Sequence, residues 1–243
     1  MDAVKAQYEA YPYPERDPQD EDTRLITGSP SHLDELRHYV FAGKRPPEPF
    51  RALVAGGGTG DGLIMLAEHC RQAGLTAEIT YLDLSEQAAA IARARAERRG
   101  LTGITFRTGS LLETTSLAGG PFHYIDCCGV LHHLADPPAG LAALRDVLDE
   151  QGGMGLMVYA PYGRTGVYPL QEVLRSLTGE MAPREQVAVA KRVIEGLPPT
   201  NWFARNGGLA DHRNSDAGLY DLLLHSQDRA YSVREFSELL EGA

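Results

Sequence analysis

The feature that most constrains this chain is a glycine-rich segment between an apolar run and a helical pattern. Residues 51–62 read Arg-Ala-Leu-Val-Ala-Gly-Gly-Gly-Thr-Gly-Asp-Gly, and residues 63–67 continue as Leu-Ile-Met-Leu-Ala. A buried strand that enters a glycine turn and leaves as a helix is how open α/β sheets seat a nucleotide. Glycine lacks a Cβ, so this turn can take positive φ and let a ligand approach closely. The segment therefore predicts a nucleotide-type site.

The spacing of the glycines distinguishes between kinds of nucleotide site. Dinucleotide binders use G-x-G-x-x-G, which fails here because the completing residue is Asp61 in one frame and Met65 in the other. The phosphate-binding G-x-x-x-x-G-K-[ST] also fails, since the loop contains no lysine. The pattern that fits is G-x-G-x-G, and with it the chain resembles the class I S-adenosylmethionine (SAM)-dependent methyltransferases. The resemblance implies that the loop binds the methionyl end of SAM, through Gly56, Gly57, Gly58, Thr59 and Gly60.

One position of this motif departs from the family pattern. Class I methyltransferases usually have an acidic residue two positions before the first glycine, whereas this chain has Val54. Part of the polar network at the methionine end therefore lacks its usual residue.

A second strand is predicted over residues 78–84, Glu-Ile-Thr-Tyr-Leu-Asp-Leu, which alternate and are rich in β-formers. Asp83 stands at its carboxyl end, where an acidic residue can accept both ribose hydroxyls in SAM and NAD sites. The alternative, that Asp83 only caps the next helix, is weakened because Ser85 is already placed for that role. Leu84 would then pack beside the adenine.

The third and fourth strands supply further candidate ligands. Residues 104–108 form the third strand, and the resemblance implies that Ser110 and Leu111 contact the adenine, although the family often has an acidic residue where Ser110 stands. Residues 122–128, Phe-His-Tyr-Ile-Asp-Cys-Cys, form the fourth strand and run into Gly-Val-Leu-His-His-Leu-Ala-Asp-Pro. This segment resembles the motif after strand four of many class I methyltransferases. It implies that Cys128 and Gly129 lie near the methionine end of SAM.

Two residues are candidates for a catalytic role, His132 and Tyr13. His132 stands just beyond strand four, where a histidine could orient a substrate or take its proton. A structural, cleft-lining role stays open, because SAM is an activated donor and methyl transfer often needs only alignment. Tyr13 belongs to residues 8–14, Tyr-Glu-Ala-Tyr-Pro-Tyr-Pro, which resemble an N-terminal arm of a bacterial branch of the family that covers the cofactor cleft. A strap whose tyrosines pack on the domain is the alternative.

The order of the elements predicts a doubly wound, mainly parallel α/β sheet of the Rossmann-like type. We expect an N-terminal arm and cap helix in residues 1–49, a SAM-binding core in 50–160 and a helical insertion in 161–243. Ser31 is expected to cap a helix over 32–41, and the arginines of a helix over 86–99 are expected to face solvent. The insertion is expected to line the cleft with Tyr162, Arg164, Tyr168, Trp202, Phe203 and Arg205.

The end of the chain differs from the family pattern. The family normally finishes with a helix and two further strands, but no strand pattern follows the last predicted helix at 233–240. We therefore expect either a fragment that lacks these strands or an unusual completion of the sheet.

Composition restricts the function classes. A net charge of −10 argues against a nucleic-acid partner. The absence of an apolar signal core or membrane-length run, together with three cysteines that make no disulfide framework, predicts a soluble cytoplasmic protein. No metal site is predicted, because no carboxylate or cysteine pattern accompanies His32 and His38 at metal-ligand spacing. The oligomeric state stays open.

The leading functional prediction is methyl transfer from SAM, giving S-adenosylhomocysteine (SAH), to a small-molecule acceptor, with a protein acceptor still possible. The alternative is a non-catalytic SAM- or SAH-binding regulatory or partner module. An NAD(P)-dependent oxidoreductase is disfavoured by the failed dinucleotide pattern and by the His-His segment after strand four.

Overall fold

The computed structural model describes residues 3–28 and 30–242 of the chain. Its centre is a five-stranded sheet with every neighbouring pair parallel and with the order β3-β2-β1-β4-β5. The strands are β1 Phe50–Ala55, β2 Ala77–Asp83, β3 Ile104–Thr108, β4 Phe122–Cys128 and β5 Leu148–Met157. This topology confirms the predicted doubly wound α/β sheet. The order reverses between β1 and β4, which is where such sheets open a ligand crevice.

Helices surround the sheet and continue beyond it. They are α1 Ala3–Ala10, α2 Leu33–Tyr39, α3 Asp61–Gln72, α4 Glu86–Arg98, α5 Thr114–Leu117, α6 Pro137–Arg145, α7 Val167–Thr178, α8 Pro183–Glu195, α9 Trp202–Arg205, α10 Asp211–Asn214, α11 Asp216–Leu223 and α12 Val233–Glu241. Short 3₁₀ helices lie at Pro18–Asp22, Leu111–Glu113 and Leu131–His133. None of the described helices combines the length and apolar character that a bilayer crossing requires.

The two faces of the sheet are covered by different helices. On one face α2, α3 and α4 pack apolar side chains onto β1 and β2, including Leu36, Leu63 and Ala92. On the other face α6 packs Leu141 and Leu144 against β1 and β4. Because both faces are covered, β1 is a nearly continuous buried apolar run rather than an alternating one.

The helices after β5 form a core of their own, which we call the C-terminal layer and define as residues 161–242. Buried side chains of α7, α8 and α11 meet there, among them Leu174, Val187 and Leu222. Tyr11 of the N-terminal arm packs against this core and stacks on Tyr220, with ring centroids 5.0 Å apart. The arm therefore bridges the sheet domain and the C-terminal layer.

Local capping follows the sequence at several helix ends. Ser85 accepts a hydrogen bond from the Ala88 amide at the start of α4, and Asp136 does the same for Ala139 at the start of α6. The prediction that Ser31 caps α2 is wrong. His32 is the capping residue, because the Ser31 hydroxyl instead donates a hydrogen bond to a buried carboxylate of β4.

The arginines of α4 do not all face solvent, so that prediction is also wrong. Arg95 is 1% exposed and forms ion pairs with Glu21 at 2.7 Å and with Asp61 at 2.8 Å. Arg99 contacts the second oxygen of Glu21 at 2.6 Å, whereas Arg98 forms a surface pair with Asp22. A buried guanidinium needs such partners, since an unpaired buried charge is strongly destabilising.

Candidate functional site

A cavity of about 610 Å³ opens at the carboxyl ends of the parallel strands. The turns after β1, β2 and β4 form its floor, as expected for the crevice of an open α/β sheet. The N-terminal arm covers it with Tyr8, Tyr13 and Arg16, while the C-terminal layer contributes Asp221 and Gln227. The cavity is therefore built from three parts of the chain.

Most of the predicted cofactor residues lie together in this cavity. Those that line it are Gly56, Gly57, Gly58, Asp83, Leu84, Ser110, Leu111, Cys128 and Gly129, and Tyr13 joins them from the arm. Their roles toward a cofactor stay predictions, but the structure brings them to one place.

The glycine loop is shaped by contacts that exclude side chains. Gly58 has φ +50°, and a Cβ there would lie 2.6 Å from the carbonyl oxygen of Tyr13. Gly56 has φ +71°, and a Cβ there would lie 2.3 Å from a methyl group of Val130. Both positions accordingly require glycine, for conformation and for space.

Thr59 and Gly60 do not line the cavity, in contrast to the prediction from sequence. The Thr59 hydroxyl donates a hydrogen bond to the carbonyl oxygen of Pro14 at 2.6 Å, and the Thr59 carbonyl accepts one from Arg95. A Cβ at Gly60 would lie 3.0 Å from that of Ala92, so this glycine lets α3 pack on α4. These two residues hold the arm and the helices in place.

Asp83 is positioned by backbone amides on both of its carboxylate oxygens. Oδ2 accepts the Gly58 N–H at 2.7 Å and Oδ1 accepts the Ser85 N–H at 2.8 Å. Burial raises the pKa of Asp83, and these hydrogen bonds act in the opposite direction. The Leu84 backbone N–H also donates to this carboxylate, so about one of its four lone-pair sites stays free to accept a ligand hydroxyl.

The turns after β3 and β4 complete the floor of the cavity. The Ser110 hydroxyl accepts the Leu112 N–H at 3.2 Å, within a capping box that starts the 3₁₀ helix Leu111–Glu113. Burial raises the pKa of the Cys128 thiol to about 12, so at neutral pH it stays a thiol. Cys128 is therefore a wall residue of the cavity and not a nucleophile.

Asp126 of β4 is a cavity residue that the sequence analysis missed. It is 4% exposed, and its Oδ2 accepts a hydrogen bond from the Ser31 hydroxyl, which in turn lies 3.0 Å from the Tyr124 hydroxyl. Burial raises the pKa of Asp126 to about 6. The signal in the sequence was a lone carboxylate within a mostly buried strand.

The two histidines after β4 have different surroundings. His132 is 1% exposed and does not line the cavity, and neither of its ring nitrogens has a hydrogen-bond partner among the described residues. Its ring lies 4.0 Å from that of Tyr159, and burial lowers the pKa of His132 to about 2. His133, by contrast, lines the cavity, and its Nδ1 lies 2.8 Å from the backbone carbonyl oxygen of Gln227.

On the side of the cavity that the C-terminal layer forms, the Asp221 carboxylate accepts hydrogen bonds from two tyrosine hydroxyls, one in α1 and one after β5. Its Oδ1 accepts the Tyr8 hydroxyl at 2.9 Å and its Oδ2 accepts the Tyr159 hydroxyl at 3.3 Å. Burial raises the pKa of Asp221, while His133 and the Tyr8 hydrogen bond oppose that shift. The sequence analysis did not single out Asp221, because it lies outside the segment that resembles the family.

A buried group of possible metal ligands surrounds Asp221, with one donor atom each from His133, Asp221 and His225 within 4.8 Å of one another. The backbone N–H of Gln227 donates a hydrogen bond to His225 Nδ1 at 3.0 Å, so a neutral His225 carries its proton on Nε2. That Nε2–H can donate a hydrogen bond to the Tyr8 hydroxyl oxygen, which lies 3.1 Å away. In this arrangement His225 has no free lone pair for a metal.

The residues predicted to line the cleft from the C-terminal layer are placed elsewhere. None of the six belongs to the described lining of the main cavity. Arg164 is buried in an ion pair with Asp228 at 2.9 Å, and Phe203 lies in the core of the C-terminal layer. Tyr162, Trp202 and Arg205 line a separate, shallower depression. The layer instead contributes Asp221 and Gln227, which the helical pattern alone does not distinguish.

Comparison with known proteins gives a family match for the centre of the chain. Residues 53–154 match the sequence model of the family described as "Methyltransferase domain". An uncharacterized protein of Synechococcus sp. is 32% identical over 250 residues, which cover 99% of this chain and 58% of that protein. The chain therefore spans less than two thirds of the length of this relative.

Solved structures give the architecture. PKMT2 from Rickettsia typhi aligns with a TM-score of 0.65 and 18% identity, covering 90% of this chain and 43% of that one. The same protein in complex with AdoHcy aligns with a TM-score of 0.63 and 17% identity, covering 88% of this chain and 42% of that one. At this identity the likeness shows the fold. Residues 53–154 are thus similar to a methyltransferase domain, and the sheet that contains them has the Rossmann-like class I methyltransferase fold.

Proposed function

We propose that this chain binds SAM in the cavity and transfers its methyl group to a small-molecule acceptor. The charge of the cavity carries this proposal. Among the described residues, the carboxylates that line the cavity are those of Asp61, Asp83, Asp126 and Asp221. Arg16 is the one described arginine or lysine that lines it. Arg16 is already neutralised by Asp61, at 2.7 Å.

Such a cavity fits a cationic ligand and repels an anionic one. SAM has a sulfonium and an ammonium group against a single carboxylate, whereas the diphosphate of a dinucleotide would meet like charge. The methyltransferase-domain match and the AdoHcy complex of the structural neighbour support the same cofactor. The electrostatics therefore favour SAM over NAD(P).

The residues on the cavity floor would hold the cofactor. Asp83 would accept a ribose hydroxyl through its remaining lone pair, since backbone amides already fix its orientation. Leu84 and Leu111 would contact the adenine faces as apolar walls. When bound, SAM supplies a methyl group that is already activated on a sulfonium.

His133 would take a proton from the acceptor, in place of the predicted His132. Because the Gln227 carbonyl can only accept, His133 Nδ1 is the protonated nitrogen, and Nε2 carries the free lone pair. A ring nitrogen of His133 lies within 4.8 Å of a carboxylate oxygen of Asp221, which would stabilise the positive charge after proton transfer. Tyr8 and Tyr13 cover this end of the cavity and would exclude water.

The volume of the cavity supports a small acceptor. About 610 Å³ lies within the range of small-molecule sites, roughly 300–1,000 Å³, and must hold both cofactor and acceptor. Cover from the arm and from the C-terminal layer further limits what can enter.

Isothermal titration with SAM, SAH and NAD tests the binding step. We expect SAM and SAH to bind and NAD not to bind. Asp83→Asn should weaken SAM about tenfold to a hundredfold, because a hydrogen bond to a charged group contributes roughly 1.5–3 kcal/mol. Asp146→Asn, at an exposed carboxylate, is the matched control and should bind as wild type does. NAD binding that is lost in Asp83→Asn would refute the assignment of the cofactor.

Turnover is tested with methyl-labelled SAM and a panel of small amines, phenols, thiols and carboxylic acids. Formation of SAH together with a labelled small product supports the proposal. Label that enters only protein would make a protein the acceptor, and tight SAM binding without transfer to either class would favour the non-catalytic module.

A further inference from the structure

We propose that Asp126 of β4 binds the ammonium group at the amino-acid end of SAM. The inference rests on the proposed function, because it takes SAM as the occupant of the cavity. In β1 the corresponding position is Val54, and the two residues are register partners in adjacent parallel strands. The family pattern has a carboxylate at the position of Val54 in β1. In this chain a carboxylate stands at the same level of the neighbouring strand β4.

The surroundings of Asp126 leave its charge without a cationic partner. Oδ2 accepts the Ser31 hydroxyl, and the backbone N–H of Cys128 also donates to this carboxylate. Among the described residues, no lysine, arginine or histidine forms an ion pair with it, although it is 4% exposed. A buried carboxylate without a counter-charge is costly, and a cation delivered by a ligand would remove that cost.

The position of Asp126 across the sheet selects the amino-acid end of the ligand. Asp83 ends β2 and Asp126 lies in β4, on opposite sides of β1. The two carboxylates are therefore two strand spacings apart across the sheet and two residues apart along the strands, roughly 12 Å in all. With the ribose at Asp83, the ligand crosses the glycine loop of β1, and the groups beyond the sulfur reach Asp126.

The ammonium is the cation that matches this carboxylate. An ammonium has three N–H groups that can donate charge-assisted hydrogen bonds, whereas a sulfonium has none. The remaining lone pairs of Asp126 can accept these donors, since its protein partners are one hydroxyl and one amide.

Gly62 gives an independent sign that space is kept open at this carboxylate. It stands in the first turn of α3, where glycine is less favourable than alanine by about 1 kcal/mol. A Cβ at Gly62 would lie 2.8 Å from Asp126 Oδ2. The glycine therefore leaves the carboxylate of Asp126 room on its cavity side.

The test compares two ligands that differ at the amino-acid end. SAH has the ammonium, and 5′-methylthioadenosine keeps the adenosine and the sulfur but lacks the amino-acid group. In titration calorimetry, Asp126→Asn should weaken SAH about tenfold to a hundredfold, because a charged hydrogen-bond partner is lost. Binding of methylthioadenosine should change less than about twofold, and it also reports that the variant is folded.

A swap of the charge between strands gives the matched variant. Val54→Asp combined with Asp126→Asn returns a carboxylate to β1 at the same level, about 5 Å away. We expect this double variant to recover at least about fivefold of the lost SAH affinity. Val54→Asn combined with Asp126→Asn, which lacks the charge, should recover none.

The outcomes separate this inference from the proposed function. If wild-type protein binds neither SAH nor methylthioadenosine, both proposals are overturned. If it binds both ligands, and Asp126→Asn weakens both equally or neither, only the role of Asp126 is overturned. Loss confined to SAH, with recovery in the charge swap, is the expected result.

Discussion

Adjacent residues at this site have opposite surroundings, and the two histidines after β4 are the clearest case. His133 faces the cavity with a fixed tautomer, because its Nδ1 donates to the Gln227 carbonyl. His132 points into protein, where its two ring nitrogens lack partners among the described residues and burial lowers its pKa to about 2. A neutral, enclosed imidazole cannot reach an acceptor in the cavity, so our proposal assigns proton transfer to His133.

Substitution of each histidine separates these roles. His133→Gln should lower kcat on the acceptor found in the screen by about 10²–10⁴, the usual contribution of a general base, and leave SAM affinity nearly unchanged. His132→Phe should retain turnover, and it removes two buried nitrogens that lack partners, so stability should be equal or higher. Steady-state kinetics and urea unfolding measure both. A loss of kcat in His132→Phe alone would reverse the assignment.

The pKa of Asp126 predicts how SAH binding depends on pH. Burial raises the pKa of Asp126 from 3.8 to about 6. In the apo protein this shift stabilises the fold fully below pH 3.8, and the contribution is lost as the pH rises through about 6. An ammonium ligand prefers the ionised form. SAH affinity should therefore be full above pH 7 and fall about tenfold per unit below pH 6.

The neighbours of Asp126 do not titrate in this window. Burial raises the pKa values of Tyr124 and Cys128 far above it, and Asp61 at the start of α3 is held ionised by its arginine partners. The residues that face Asp126 from β1, from β5 and from the segment before α2 carry no titratable group; they are Val54, Gly155 and Ser31. Calorimetry from pH 5 to 8 should show that SAH affinity falls with decreasing pH in the wild type and changes less in Asp126→Asn. Equal slopes in both proteins would contradict the prediction.

At the scale of the elements, the features that depend on residues close together in the sequence could be predicted from it. The glycine turn, the strands and the caps at Ser85 and Asp136 depend on residues within a few positions of each other. Ser31 was assigned wrongly because its partner, Asp126, is 95 residues away, and Arg95 because its partner Glu21 is 74 residues away. Long-range polar pairing leaves no periodic pattern in a sequence.

The Arg95 ion pairs should determine how firmly the arm is attached to α4. Arg95→Ala leaves Glu21 buried beside only Arg99, and we expect a loss of about 3–5 kcal/mol in unfolding free energy. Arg98→Ala on the same helix removes a surface pair with Asp22 and should cost about 0–1 kcal/mol. Urea unfolding compares the two variants. Similar small losses in both would mean that the buried network adds little to stability.

At the scale of the whole molecule, the site is completed by the N-terminal arm and by the C-terminal layer, and the family resemblance does not extend to that layer. Most of the residues predicted to bind the cofactor line the floor of the cavity, because this floor follows the strand–turn–helix pattern of residues 50–129. The walls could not be predicted, since helical periodicity in the C-terminal layer shows which faces are apolar but not which end of α11 meets the arm. Asp221 and Gln227 are therefore the wall residues, rather than the six aromatic and arginine residues proposed from sequence.

Because three parts of the chain enclose the cavity, its occupancy should be felt far from the glycine loop. At SAM concentrations of 100 times Kd the stabilisation is about 2.7 kcal/mol, which corresponds to a rise of about 5–11 °C in Tm for a chain of this size. Hydrogen exchange should slow in α1 and α11, which carry Tyr8 and Asp221 to the cavity, and should not change in α8, which has no described lining residue. Protection confined to the glycine loop and to the end of β2 would mean that the arm and the C-terminal layer do not close over the ligand.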